Sequence, residues 1–238
     1  MSIAFVTLST SGYIDFTLNC LKSLENCKCE HELITYCIGQ KGCDILTLHG
    51  YKSILIDEEE NSNFQNIRKG NWSNIVYHKF VIIHENLQKY DFVCFTDGDI
   101  VYERNGFFEH IMANMTDDME MLIQSESQIE KEKSSLCSGF MFIKSTKNTI
   151  SLFDPKNVEE FRNKVGWGDQ IYVNSLKKKL VYDVLDLNLF PNGKYYFNNH
   201  LTLNPYLIHF NWVYGPNKKE KMKSFNKYLL TDNDGEKE

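Results

Sequence analysis

The chain has 238 residues, enough for one domain with a full buried core. Hydrophobic residues make up 42% and charged residues 24%, the balance of a globular fold in water, while a net charge of −6 argues against nucleic acid as a partner. Seven cysteines, an odd number, form no even framework, and the first residues have neither a basic leader region nor an apolar run of the roughly 20 residues that span a bilayer, so free thiols, a cytoplasmic location and no membrane span are expected.

The apolar run Ile3 to Leu8 predicts a buried strand, Ser9 to Gly12 a polar turn, and the spacing of Ile14, Phe16, Leu18, Leu21 and Leu24 a helix. Leu33 to Ile38 predicts a second strand, Gly39 to Gly42 a turn, Asp44 to His49 a short helix and Ser53 to Ile56 a third strand. Asp57 to Ser73 is polar and long for a connection, as functional loops often are. Ile75 to Leu87 carries Val76, Phe80, Ile83 and Leu87 at helical spacing, and Phe92 to Phe95 predicts a central strand covered on both faces. A helix over Phe107 to Met115 and strands over Met121 to Ile123 and Phe140 to Ile143 come next. The second half is less regular, with a strand-like run at Tyr206 to Phe210. The expected organisation is a single domain over 1–216 and a basic, polar tail over 217–238 that ends in disorder. The alternation of strands and helices predicts an α/β fold with a mostly parallel sheet.

The strand at Phe92 runs into Asp97-Gly98-Asp99. In an extended chain, residues i and i+2 share a face, so both carboxylates can reach one cation, with Gly98 leaving room for a close neighbour. Ligands bind open α/β sheets at the carboxyl ends of strands, and oxygen donors of this kind suit Mg²⁺ or Mn²⁺ beside phosphate. An acidic turn after a strand is the plainer reading of the same residues. A phosphatase of the haloacid dehalogenase type also carries D-x-D after a strand, but after its first strand, whereas here it is the fourth.

The segment KFVIIHENLQKYDFVCFTDGDIVYERNGFF resembles the helix, strand and DxD core of glycogenin-like nucleotide-diphospho-sugar transferases. FVTLSTSGYIDFTLNCLKSL, CSGFMFI, GWGDQIYVNSL and IHFNWVYGPNKK resemble further parts of that family, in the same order. The resemblance implies a GT-A (Rossmann-like) mixed sheet, mostly parallel and flanked by helices. It implies that Asp97 contacts metal and ribose, that Asp99 is the main carboxylate ligand and that His209 is a third metal ligand. Leu8, Thr10 and Tyr13 match positions around the nucleobase and ribose. Lys79 matches a contact to the donor phosphate or sugar, and Ser138 and Gly139 the segment beneath the donor sugar. Gly215 and Lys218 match the diphosphate clamp, with Lys219 as the alternative lysine. Asp169 and Gln170 match the pair beside the anomeric carbon; a helix cap is the plainer role for Asp169. Three features depart from the pattern: Cys137 replaces an Asn, the Pro-Trp after the lysine is missing, and Phe210 to Tyr214 widen the gap between His209 and Gly215.

The resemblance thus implies a metal-dependent glycosyltransferase, with Mn²⁺ or Mg²⁺ as cofactor and a UDP-sugar as donor. Its partner would be a glycan, protein or small-molecule acceptor, and transfer would retain the donor's configuration. A non-catalytic nucleotide-sugar or glycan-binding protein and a metal-dependent phosphohydrolase are the alternatives. Asp99→Asn is expected to remove turnover with little loss of stability.

Overall fold

A computed structural model describes residues 1–58, 72–165 and 168–231. Most of the polar loop expected from Asp57 to Ser73 lies outside the described residues. The first half is a strand and helix alternation: β1 (Ile3–Thr10), α1 (Ile14–Asn26), β2 (Ile34–Ile38), α2 (Gln40–Leu48), β3 (Ser53–Asp57), α3 (Trp72–Leu87) and β4 (Phe92–Thr96). After β4 come β5 (Ile100–Tyr102), α4 (Phe107–Asn114), β6 (Met121–Ser125) and β7 (Leu136–Lys144). The chain continues through α5 (Lys147–Leu152), α6 (Pro155–Val165), α7 (Asp169–Ser175), β8 (Tyr182–Val184), α8 (Gly193–Asn199), β9 (Leu207–His209) and α9 (Pro216–Ser224).

The main sheet has seven strands in the order β3-β2-β1-β4-β7-β6-β8. β7 runs antiparallel to β4 and β6, and the sheet's other pairings are parallel. The mixed, mostly parallel sheet expected from the sequence is therefore present. Alternation within strands divides the core. Phe5, Phe92, Cys94, Phe140 and Phe142 pack with Leu18 and Leu21 of α1, Leu46 of α2 and Phe107, Phe108 and Ile111 of α4. Val6, Val93, Phe95, Met141 and Ile143 pack with Phe80 and Ile83 of α3, Phe153, Val158 and Tyr172. Adjacent residues thus serve opposite layers, which is why these strands read as unbroken apolar runs.

Two features of topology place the site. The order of strands reverses between β1 and β4, so a crevice opens at their carboxyl ends. A separate two-stranded ribbon pairs β5 with β9 in the register Ile100↔His209. Residues just after the acidic motif therefore carry His209 in beside it.

Several elements differ from the sequence expectation. α2 begins at Gln40, so the expected four-residue turn shrinks to Gly39. α5 and α8 have 6 and 7 residues, too few turns for a strong helical period, whereas α6, with 11 residues, is an amphipathic helix that the sequence reading does not include. The tail expected from 217 onward begins inside α9, where Met222 and Lys218 are buried. Asn19 on α1 fastens the segment after α9: its amide donates to Lys227 O at 3.0 Å and its carbonyl accepts from Leu229 N at 2.6 Å. All seven cysteines are free, and no helix among the described residues is long and apolar enough to cross a membrane.

Candidate active site

A cleft of about 370 Å³ opens at the carboxyl ends of the strands. Leu8, Thr10 and Tyr13 from the first strand and turn, Lys79, Asp97, Asp99, Ser138, Gly139, Asp169, Gln170, His209 and Lys218 all line it. Gly215 acts one step removed, as the N-cap residue of α9, the helix that carries Lys218.

Asp97, Asp99 and His209 each offer a ligand atom, and these atoms lie within 4.8 Å of one another. The carboxylates converge through a turn and not through extended alternation: the Ile100 N–H donates to Asp97 O at 3.3 Å. Two close approaches make this possible. A Cβ on Gly98 would stand 2.7 Å from Thr17 Oγ1, and one on Gly139 would stand 2.1 Å from His209 Cε1. Neither position has room for a side chain.

The orientation of His209 is set by Gln124, a polar residue buried in β6. The Gln124 amide nitrogen donates to Phe190 O and Pro191 O, both at 3.0 Å, which turns Oε1 toward the histidine. The Nδ1–H of His209 then donates to that oxygen at 2.8 Å. Nε2 is left facing Asp99 Oδ1 at 3.2 Å and Asp97 Oδ2 at 3.8 Å. Three acceptors turned on one another require a proton or a cation among them. Two carboxylate oxygens and an imidazole nitrogen, with the ring fixed from behind, suit Mn²⁺ or Mg²⁺.

Two buried lysines flank the trio. Lys79 on α3 bonds Asp169 Oδ2 at 2.6 Å and Asp97 Oδ1 at 2.9 Å and donates to Ser138 O at 3.3 Å. Burial pulls its ammonium down, but Asp169 and Asp97 more than offset this and hold it above the usual lysine range. Lys218 on α9 bonds Asp99 Oδ2 and donates to Tyr13 OH at 2.8 Å. Lys219 points elsewhere, to Asp15 Oδ2 at 3.3 Å, so Lys218 is the lysine of the pair that enters the cleft.

The carboxyls are set apart by their surroundings. Burial raises Asp97 above the ordinary carboxylate range in spite of Lys79. Burial also acts on Asp99, but the charge of Lys218, joined by that of His209 when its ring is protonated, outweighs it and holds Asp99 well below that range. At Asp169, burial is outweighed by Lys79 and by Ser138 Oγ, which donates at 2.8 Å, so this carboxyl also lies low. The N-cap of α7 is Gly168, and the Asp169 carboxylate goes to Lys79 and Ser138.

The sequence reading did not single out Glu126, Asn211, Trp212 or Tyr214, all of which line the cleft. Cys137 lines it as well, where the resemblance expects Asn, and Asn211 Nδ2 lies 3.6 Å from its sulfur. The buried glutamine that follows the apolar run Met-Leu-Ile in the strand MLIQS is a readable signal for the His209 support.

Comparison with known proteins bears on the fold and the family. A UDP-galactose:fucoside alpha-3-galactosyltransferase of Dictyostelium discoideum is 24% identical over 283 residues, covering 96% of this chain and 43% of the relative. The chain thus spans less than half the length of that protein. Among solved structures, the galactosyltransferase LgtC in complex with donor and acceptor sugar analogs matches with a TM-score of 0.62 at 16% identity, over 97% of each chain. The apo form of the glycosyltransferase GlyE of Streptococcus pneumoniae TIGR4 matches with a TM-score of 0.63 at 14% identity, over 97% of this chain and 61% of that one. Mouse xyloside xylosyltransferase 1 matches with a TM-score of 0.56 at 12% identity, over 89% of this chain and 99% of that one. These likenesses carry the fold, which is that of the GT-A glycosyltransferases. The family model for nucleotide-diphospho-sugar transferases matches residues 32–225, most of the length, and the chain belongs to that family.

Proposed function

We propose that the protein transfers a sugar from a uridine diphosphate donor to an acceptor hydroxyl, with a divalent cation and with retention of the donor's anomeric configuration. The observation that carries this reading is the convergence of Asp97, Asp99 and His209 on one cleft between two buried lysines. Mn²⁺ or Mg²⁺ bound by Asp97, Asp99 and His209 would supply Lewis-acid charge for the diphosphate leaving group. Lys218 adds a point charge for the diphosphate, and Tyr13 OH steadies its ammonium. Leu8, Thr10 and Tyr13 hold the nucleoside, with Asp97 reaching the ribose as well as the metal. Ser138 and Gly139 support the donor sugar, and Lys79, which bonds Ser138 O and Asp169, contacts its phosphate or sugar.

Asp169, kept ionised by Lys79 and Ser138, is a fixed negative charge for the oxocarbenium-like sugar, with Gln170 as a neutral stabiliser beside it. Retention follows either from a covalent glycosyl-enzyme intermediate or from attack on the leaving group's own side, in which the departing phosphate takes the acceptor proton. The curated relative uses UDP-galactose, by its name, so that donor is the first to try. The unpaired cysteines favour a reducing compartment, in our reading the cytoplasm.

The test is thermal stabilisation and nucleotide release with UDP-sugars and GDP-mannose, with Mn²⁺ or with excess chelator. Stabilisation by UDP-sugars and turnover that needs the cation are expected. A preference for the guanine nucleotide overturns the donor, and full turnover in chelator overturns the metal. Phosphate release from simple esters without an acceptor would favour a phosphohydrolase.

A further inference from the structure

Strand order lays the cleft out in a line. The carboxyl ends of β1, β4 and β6 and the beginning of β7 lie side by side in the order β1, β4, β7, β6. Each step is about 4.8 Å, close to the thickness of one sugar ring. Thr10 closes β1, Asp97 and Asp99 come after β4, Ser138 and Gly139 open β7, and Glu126 comes after β6. On the function proposed above, on which this inference rests, the nucleoside lies over β1, the diphosphate at β4 and the donor sugar at β7. The ground beyond β7, over β6, is left for the group that receives the sugar.

Its chemistry differs from that of the donor end. Glu126 lines the cleft, and its Oε2 accepts from Asn211 Nδ2 at 2.9 Å. Asn211 is fixed from the other side, where its Oδ1 accepts from the Gly193 N–H at 2.7 Å, so it holds the carboxylate in one place. Trp212 comes next in the chain. The residue lines the cleft and is 45% exposed, its side chain bonds Glu126, Lys194 Nζ lies 5.0 Å from the centre of its ring on one face, and its backbone φ is +64°, a left-handed conformation unusual for a bulky residue. Such strain gathers at ligand sites. A carboxylate can accept from two neighbouring hydroxyls, and an exposed indole offers a flat apolar face to the C–H face of a pyranose. Diol recognition beside a flat aromatic face is what a saccharide calls for.

We propose that Glu126 and Trp212 form the acceptor subsite, with Asn211 as the positioning residue for Glu126, and that the acceptor is itself a saccharide. In the transfer, the bond between the anomeric carbon and the phosphate oxygen breaks, the bond from that carbon to a saccharide hydroxyl oxygen forms, and the hydroxyl proton leaves with the nucleoside diphosphate.

The test first selects, by calorimetry with Mn²⁺, the UDP-sugar that binds among galactose, glucose, N-acetylglucosamine and xylose. Absence of binding here is a failure of the donor reading, seen before any acceptor is added. Transfer from the selected donor is then measured with methyl galactoside, glucoside, fucoside and xyloside, and with peptides bearing Ser, Thr or Tyr. Transfer to a glycoside is expected. E126Q and W212A should raise its KM about tenfold or more, the effect of losing one hydrogen bond to a charged group, with the donor dissociation constant near wild type. W212F, which keeps a flat ring, should restore most of the lost affinity and guards against misfolding as the cause. Transfer to peptides and to no glycoside overturns the saccharide acceptor. An E126Q effect on donor affinity with acceptor KM unchanged assigns Glu126 to the donor sugar and overturns the subsite.

Discussion

Asp97 and Asp99 stand two residues apart in one turn, yet each faces its own lysine in different surroundings. Asp97 shares Lys79 with Asp169, and its side chain remains 31% exposed to the cleft. Asp99 has Lys218 to itself, accepts the flank of His209, and its side chain is 6% exposed. The first carboxyl is lifted above its ordinary range and the second is driven far below it. One motif therefore supplies a carboxylate that is costly to ionise beside one that the fold keeps ionised. Equal spacing in sequence thus says nothing about equal charge environment. That is set by elements from far along the chain, α3 on one side and α9 on the other.

Neutralising each carboxylate in turn puts the contrast under its most severe test. Both D97N and D99N should lower transfer by about two to three orders of magnitude, since each removes charge that faces the reacting diphosphate. Their stabilities should part. D99N leaves the buried Lys218 without its carboxylate and should lose about 3 kcal/mol in urea unfolding at neutral pH. D97N should unfold no more easily than wild type, because Lys79 keeps Asp169. Equal stability losses would end the two-environment account. The small stability cost expected for Asp99→Asn from sequence is thus replaced by a large one, because the partner lysine was not visible as a buried group.

Asp169 probes the Lys79 side. D169N should lower turnover by roughly a hundredfold while leaving donor affinity near wild type, as for an interaction made mainly in the transition state. Proton NMR of the first product should show the donor's own anomeric configuration. An inverted product would unseat Asp169 and make Glu126 the candidate base.

Lys218 probes the other side. K218A should weaken UDP binding about tenfold, with uridine binding little changed, by calorimetry. Equal losses for both would remove the diphosphate role.

The smallest effect is in pH. A carboxyl lowered in the fold stabilises above its unfolded value and loses that contribution as pH falls through the folded one. A raised carboxyl weighs against the fold at neutral pH and is relieved by protonation. The gap in melting temperature between wild type and D99N should therefore persist well into the acid range. The gap between wild type and D97N should close as pH falls toward the ordinary carboxylate value of about 4. Parallel pH curves for the two variants would contradict the assigned directions.

The sheet was legible because β1, β4 and β7 serve both layers and so read as unbroken apolar runs. The acidic motif was legible because Asp-Gly-Asp comes directly after such a run. The site residues around it came from resemblance, and nothing in their spacing could have placed Lys79 beside Asp169, 90 positions apart. The far end of the cleft was not legible. Glu126 and Asn211 are ordinary polar residues in sequence, and only their bond across 85 positions marks them as a pair. α9 was read as tail because it is Lys-rich and buries one apolar side chain, Met222. Its place is set by contacts to other elements, Lys218 to Asp99 and Asn19 to the segment behind it, which carry no period.

The pairing of β5 with β9 has a consequence for how the molecule is made. Synthesis runs from the amino end, and all seven strands of the main sheet, together with Asp97, Asp99 and Lys79, emerge before His209 and Lys218. Until then Asp99 lacks the Lys218 ammonium that neutralises it, and β5 lacks its partner strand β9. Residues 207–218 supply both the partner strand of β5 and the ammonium that faces Asp99, so the site is complete only with this late segment in place.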